Sequence, residues 1–333
     1  MDIGTFFKYF LIYVCGFTLG SYGGLFSESA GIINIALEGS MALGAFMGMI
    51  FLQGMNVWCA GTFLVTTMGG LIICYLLASL VAIIIGALFS FLLSFVAIRF
   101  KADQTVVGTA LNTLVIAATT LINISVTGKD STEVITNLYS QYLQINTGVS
   151  FIDNMLSGLN FSLLLGVLGI AGLWILMNKT RFGLRLRACG ENPAAADSVG
   201  INVPKMRYIG TAIGSAAAAF AGFLIFSSLP VGTWKINALG YGFLVLAIEI
   251  FGNWKATNII FCSIFFGLFF AFAPTFTAAI SVNPGWGLNR TLFGTRAFYY
   301  MLPYLIALIS LVIFSKKSRA PKAEGIPYDK SSR

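Results

Sequence analysis

Two carboxylates, Glu38 and Glu249, stand inside long apolar stretches of this 333-residue chain. Side chains of that type in such a place are the ones most able to do chemistry. An ionised carboxylate at mid-membrane costs roughly 2.5–3.5 kcal/mol on insertion scales. A polar cavity, a Lys or Arg partner, or a proton must offset that cost. Lys235 and Lys255 sit at span ends, from which long side chains reach water. Asn34 and Asn112 are neutral candidates for the same interior, either as glue between helices or as contacts for a polar solute. Most of the 30 Phe, 12 Tyr and 5 Trp serve lipid contact and interface belts, and a minority, with Tyr241 and Phe243 as candidates, could stack on a planar solute.

Other chemistries are excluded more firmly. The chain holds no histidine, which removes imidazole metal sites, histidine relays and Ser/His or Cys/His catalysis. Cys15, Cys59, Cys74, Cys189 and Cys262 are scattered without CxxC spacing and read as packing residues. No GxxxxGK[ST] phosphate loop occurs, so the chain cannot itself hold ATP in that way. The net charge of +8 comes mainly from Lys179–Arg207 and Lys316–Arg333. Basic loops on the cytoplasmic side of a membrane explain it, and no basic face with interleaved aromatics points to nucleic acid.

With 57% hydrophobic and 10% charged residues, the elements that position these side chains must be membrane helices. The expected fold is all-α and polytopic, with about 9–10 transmembrane helices in two pseudo-symmetric halves, some of them broken or re-entrant. Residues 1–315 form the membrane domain and 316–333 a basic, disordered cytoplasmic tail. Residues 6–26 make a first, retained span in which Gly16, Gly20, Gly23 and Gly24 mark a packing face. Residues 27–48 are too polar for a lipid-facing helix and too apolar for a loop, which predicts a broken helix beside a cavity. Residues 236–258 repeat that character around Glu249. Two interrupted segments at comparable places in the two halves point to a translocation route between them. Residues 58–98 carry no charge; either a hairpin broken at Gly69-Gly70 or one long helix fits, and the side of the N-terminus stays open. The loop 127–158 lacks positive excess and is placed outside.

One polar stretch carries regular structure of its own. Residues 179–208 hold six Lys/Arg against two acids. Within them Asn192 suits an N-cap, Pro193 the first helical position, Ala194, Ala195 and Ala196 the body, and Gly200 the stop. A helix of about two turns, on the order of 10 Å, follows. A loop needed only for charge would not require a capped helix, so this one is built to be gripped by a partner.

RFGLRLRACGENPAAADSVGI at 181–201 resembles the coupling-helix loop of permease subunits of ABC importers in the branched-chain amino acid, ribose and nucleoside group. GLFSESAGIINIALEGSMALGAF at 24–46, RFKADQTVVGTALN at 99–112 and GYGFLVLAIEIFGNW at 240–254 are similar to blocks of its nucleoside branch. Glu249 departs from that pattern, which is small and apolar there. The resemblance implies a non-enzymatic, multi-pass subunit of the cell membrane, with its coupling loop and C-terminus in the cytoplasm. It would pair with a second permease, the same chain or a related one. It would dock two copies of an ATP-binding subunit or one tandem ATPase, and receive solute from an extracytoplasmic binding lipoprotein. ATP and magnesium would stay on the ATPase, and no cofactor on this chain. The docking residues carried over are Glu191, Asn192, Pro193, Ala194, Ala195, Ala196, Asp197, Ser198, Gly200 and Ile201. The pathway positions are Asn34, Glu38, Asn112, Tyr241, Phe243 and Glu249. Nucleosides are the expected cargo, with simple sugars such as ribose or branched-chain amino acids as alternatives. An ion-gradient-driven secondary transporter using Glu38 or Glu249 is the rival mechanism.

Overall fold

A computed structural model describes residues 3–128, 131–132, 160–228, 234–235, 240–282, 319–328 and most of 301–309. Its elements are α1 (Ile3–Ser29), α2 (Leu37–Trp58), α3 (Phe63–Thr66), α4 (Met68–Arg99), α5 (Gln104–Thr127), α6 (Phe161–Lys179), α7 (Arg181–Glu191), α8 (Pro193–Ser198), α9 (Val203–Ser228), α10 (Tyr241–Phe251) and α11 (Ala256–Val282). The only strands among the described residues are a two-residue antiparallel pair, Ser131 opposite Lys235 and Thr132 opposite Trp234. The fold is all-α and polytopic. Six helices are long and apolar enough to cross a membrane, and α10 and the described part of α11 are shorter apolar helices.

Small residues set the packing. Helices α1 and α9 form the centre, 83% and 78% of their apolar windows being buried. They run antiparallel: Gly16 lies against Ile225, and Gly23 against Gly214 and Ala218. Helix α2 crosses α9 closely, with Gly44 against the Ala219 backbone and Gly222 against that of Met41. Lipid tails are as apolar as leucine, so close backbone approach is what drives such crossings. The run GTAIGSAAAAFAG of α9 is therefore a packing surface on both sides. Helix α4 runs antiparallel to α9, joined by Tyr75–Ser227 at 2.8 Å near one end and Ser94–Thr211 near the other.

These pairings orient the helices. The first turn of α1 lies at the end opposite α7 and α8, while Ser29, Arg99 and Val203 share the α7–α8 end. The uncharged run 58–98 contains no hairpin at Gly69-Gly70: these glycines sit in the first turn of α4, capped by Thr67. The turn falls earlier, at 59–67, and α4 is one helix of 32 residues, about 48 Å long against a hydrocarbon core of about 30 Å. The tail differs from expectation too. Residues 319–328 are not disordered but lie folded against the α7–α8 end, with the Ala323 amide donating to the Gly190 carbonyl at 2.8 Å.

Candidate functional site: two helix breaks and a capped external helix

The chain breaks between α1 and α2 at residues 30–36, and each backbone polar group freed there needs a partner, since lipid offers none. Side chains from neighbouring helices supply them. Gln104 accepts from the Ile33 amide at 2.7 Å. Asn112 donates to the Ile35 carbonyl at 3.0 Å and accepts from the Gly39 amide at 2.8 Å. Asn34, fully buried, donates to Ser27 at 3.0 Å and Ser215 at 3.2 Å, tying the break to α1 and α9.

The second break precedes α10, an 11-residue helix of about 16 Å that spans half the hydrocarbon core. Its cap residue, Gly240, has φ +79° and no side chain to satisfy the orphan amides of the first turn. Glu38 does so from another helix: its two carboxylate oxygens accept from Gly240 at 3.0 Å and Gly242 at 2.6 Å. A Cβ on Gly242 would overlap the Glu38 backbone. Among the described residues the partner that offsets the Glu38 carboxylate is thus the positive end of a half-helix, not a Lys or Arg.

Tyr241, 2% exposed, lies inside an aromatic cluster. It stacks on Phe226 at 5.9 Å and meets Tyr13, Phe17 and Phe270 edge-on at 5.6–6.1 Å. Phe243, on the opposite face, is 50% exposed. Asn34, Glu38, Asn112 and Tyr241 therefore surround the two breaks, Phe243 faces outward, and Glu249 sits two turns along α10. There Glu249 is fully buried near Glu28, and neither of its carboxylate oxygens has a hydrogen-bond partner among the described residues. Glu28 also accepts from the Trp254 indole. Gly24 leaves room for Glu249, because a Cβ at residue 24 would overlap its carboxyl.

Sequence reasoning gave no site role to Glu28, Trp254 or Glu324. Only Glu28 carried a usable signal, an acid in the same interrupted run as Glu38. Among the described residues no three His, Cys, Asp or Glu side chains are arranged to hold a metal.

At the α7–α8 end, Asn192 accepts from the Ala195 amide at 3.0 Å and Pro193 opens α8, which stops before Gly200 at φ +85°. Glu191 closes α7 and Ile201 follows the stop. Ala196 is buried, Asp197 and Ile201 are half-buried, and Glu191, Asn192, Ala194, Ala195 and Ser198 are exposed. Val199 is 76% exposed beside them, an apolar residue on a polar loop. Helix α7 was not foreseen. Thr180 caps it, and its Gly183 and Gly190 meet the backbones of Met177 and Ser29 so closely that a Cβ at either would overlap. Helix α8 is thereby rigidly joined, through α7, to the end of α1.

The chain matches the family described as "Branched-chain amino acid transport system / permease component" over residues 6–311. It is 35% identical to the guanosine ABC transporter permease protein NupQ of Bacillus subtilis, covering 97% of this chain and 96% of that one. It is 33% identical to the nucleoside ABC transporter permease protein NupC of Lactococcus lactis, covering 96% and 95%. No solved structure matches. A polytopic bundle with two internal helix breaks and a capped helix outside it is thus a membrane-embedded permease component, and the chain belongs to the family described as branched-chain amino acid transport system / permease component.

Proposed function

We propose that this chain is the membrane subunit of an ATP-driven importer of nucleosides, and that α8 is the helix its ATPase grips. The observation that carries the reading is the state of α8: capped, stopped, braced through α7 onto α1, and exposing Ala194, Ala195, Ser198 and Val199. A helix of six residues is too short to be stable alone. Its rigidity comes from the bracing, which suits it to carry force. The names of the two relatives support nucleosides over sugars or branched-chain amino acids as cargo.

The sidedness follows from charge. Arg99, Lys101, Lys179, Arg181, Arg185, Arg187, Lys205, Arg319 and Lys322 all fall at the α7–α8 end, which supports that end, tail included, as cytoplasmic. The start of α1 is then outside. Pairing with a second permease, engagement of two ATP-binding subunits or one tandem ATPase, and delivery of solute by an external binding lipoprotein complete the assembly. ATP hydrolysis belongs to the partner, whose closure would push on α8 and, through α7, on the break between α1 and α2. We place the solute path beside the two breaks, with Asn34, Glu38 and Asn112 holding its frame, Tyr241 and Glu249 behind it and Phe243 at its open side.

Ala195→Trp tests the docking role, since the side chain is exposed and its enlargement spares the fold. Membrane insertion should persist while ATPase co-purification and uptake are lost. Normal uptake would refute the assignment.

A further inference from the structure

The C-terminal segment Arg319–Tyr328 is hydrogen-bonded to three separate elements. Its Arg319 amide donates to Asn253 Oδ1 at 2.8 Å just after α10. Its Ala323 amide donates to Gly190 at 2.8 Å at the end of α7, and its Gly325 amide to Gly31 at 3.3 Å in the α1–α2 break. Glycines make the fit. Gly325 and Gly31 have φ of +73° and +89°. A Cβ on Gly325 would come within 2.7 Å of Ile33, and one on Gly31 within 2.9 Å of Arg207 and 3.2 Å of the Ala323 carbonyl.

The underside of the same contact is poorly satisfied. Arg207 is 1% exposed beneath it, near Tyr328 and Cys189, with Nε and Nη2 lacking a hydrogen-bond partner among the described residues. Glu324 Oε2 and Tyr328 Oη are likewise buried without partners among the described residues. The Glu324 carboxyl lies within electrostatic range of those of Glu28 and Glu249. A contact that fits sterically yet buries polar groups unpaired gains hydration when it opens. It is therefore suited to close and reopen rather than to remain shut.

We propose that Arg319–Tyr328 is a latch that ties the end of α7, and so the ATPase-docking helix α8, to the α1–α2 break and to the C-terminal end of α10 in the resting transporter and is released when the ATPases close. The idea rests on the docking role of α8 given above. The segment bonds to the end of α7, to the α1–α2 break and to the end of α10, so the tail can couple them without touching solute. Gly325→Val should unfasten the latch by collision with Ile33. Glu324→Gln should tighten it by removing one of three facing carboxylates.

The test uses the complete complex of this chain with its ATPase and binding protein in lipid nanodiscs and proteoliposomes. Amide exchange of 319–328 should be slow without nucleotide and at least tenfold faster with a non-hydrolysable ATP analogue. Gly325→Val should show fast exchange in both states, at least threefold higher ATP hydrolysis without binding protein, and correspondingly less uptake per ATP, with ATPase co-purification unchanged. Glu324→Gln should shift exchange and basal hydrolysis the opposite way, a reversal that general structural damage would not produce, and it carries the test alone if Gly325→Val fails to accumulate. Equal exchange with and without the analogue, or variants with the wild-type ratio of uptake to hydrolysis, would overturn the latch. So would loss of ATPase from Gly325→Val, since the tail would then belong to the docking surface. Failure of the unaltered chain to retain any ATPase would instead sink the docking role of α8.

Discussion

Removing the Glu38 carboxylate should loosen α10 rather than act directly on solute. In Glu38→Ala the amides of Gly240 and Gly242 lose both acceptors at 3.0 and 2.6 Å in a region where lipid and packed helices exclude water. Each buried donor left unpaired costs about 1–3 kcal/mol, and losing an anion at a helix N-terminus adds about 0.3–1 kcal/mol. The expected destabilisation of the α2–α10 contact is therefore about 2–7 kcal/mol. Glu38→Gln keeps one acceptor oxygen and should lose about half as much, although its amide nitrogen then faces a donor. Thermal unfolding of the purified chain, followed by intrinsic fluorescence, should rank wild type above Gln above Ala, with uptake falling in the same order. A Glu38→Gln protein of wild-type thermal stability but without uptake would refute the capping role and point to direct action on solute or ion.

Three further outcomes follow from the same geometry. Gly24→Ala should impair folding because its Cβ overlaps the Glu249 carboxyl, and adding Glu249→Ala should restore much of the lost expression; no rescue in this double-mutant test would show that other neighbours of Gly24 dominate. Asn112→Leu removes both the acceptor for Gly39 and the donor to Ile35, and should lower stability by about 2–6 kcal/mol, read as a lowered unfolding temperature, whereas a neutral effect would contradict its role at the break. Burial, and then the facing Glu28, push the Glu324 carboxyl up from 4.5 to about 8 in the docked tail. Glu249, Arg207, Cys189 and Tyr328, the segment's own Arg319 and Lys322, and Glu191 beside Gly190 are also ionisable groups around that contact. A raised acid favours the state that holds its proton. Tail docking should thus be fullest below about pH 4.5 and be lost as pH rises through about 8, so intrinsic-rate-corrected exchange of 319–328 should speed up over that window in wild type but not in Glu324→Gln.

What the chain reveals unaided follows from how local each feature is. The α8 helix was legible because Asn192, Pro193, the alanines and Gly200 encode cap, start, body and stop within nine consecutive positions. The oddity of Glu38 and Glu249 was legible from polarity alone, but their surroundings were not. Gly240 and Gly242 lie more than two hundred positions from Glu38, and Gly24 is as remote from Glu249. The long uncharged run resolved only in three dimensions, because Gly69-Gly70 serve equally as a break or as a first turn. The tail was misread because its fit depends on backbone bonds to Gly190 and Gly31, which leave no mark in composition.

The most direct test of the account is uptake of labelled nucleoside by proteoliposomes containing the permease, its ATPase and its binding protein, with proton and sodium gradients collapsed by ionophores. Uptake that continues, requires ATP and disappears with Ala195→Trp is the expected result. Uptake that needs an ion gradient and ignores ATP would contradict it.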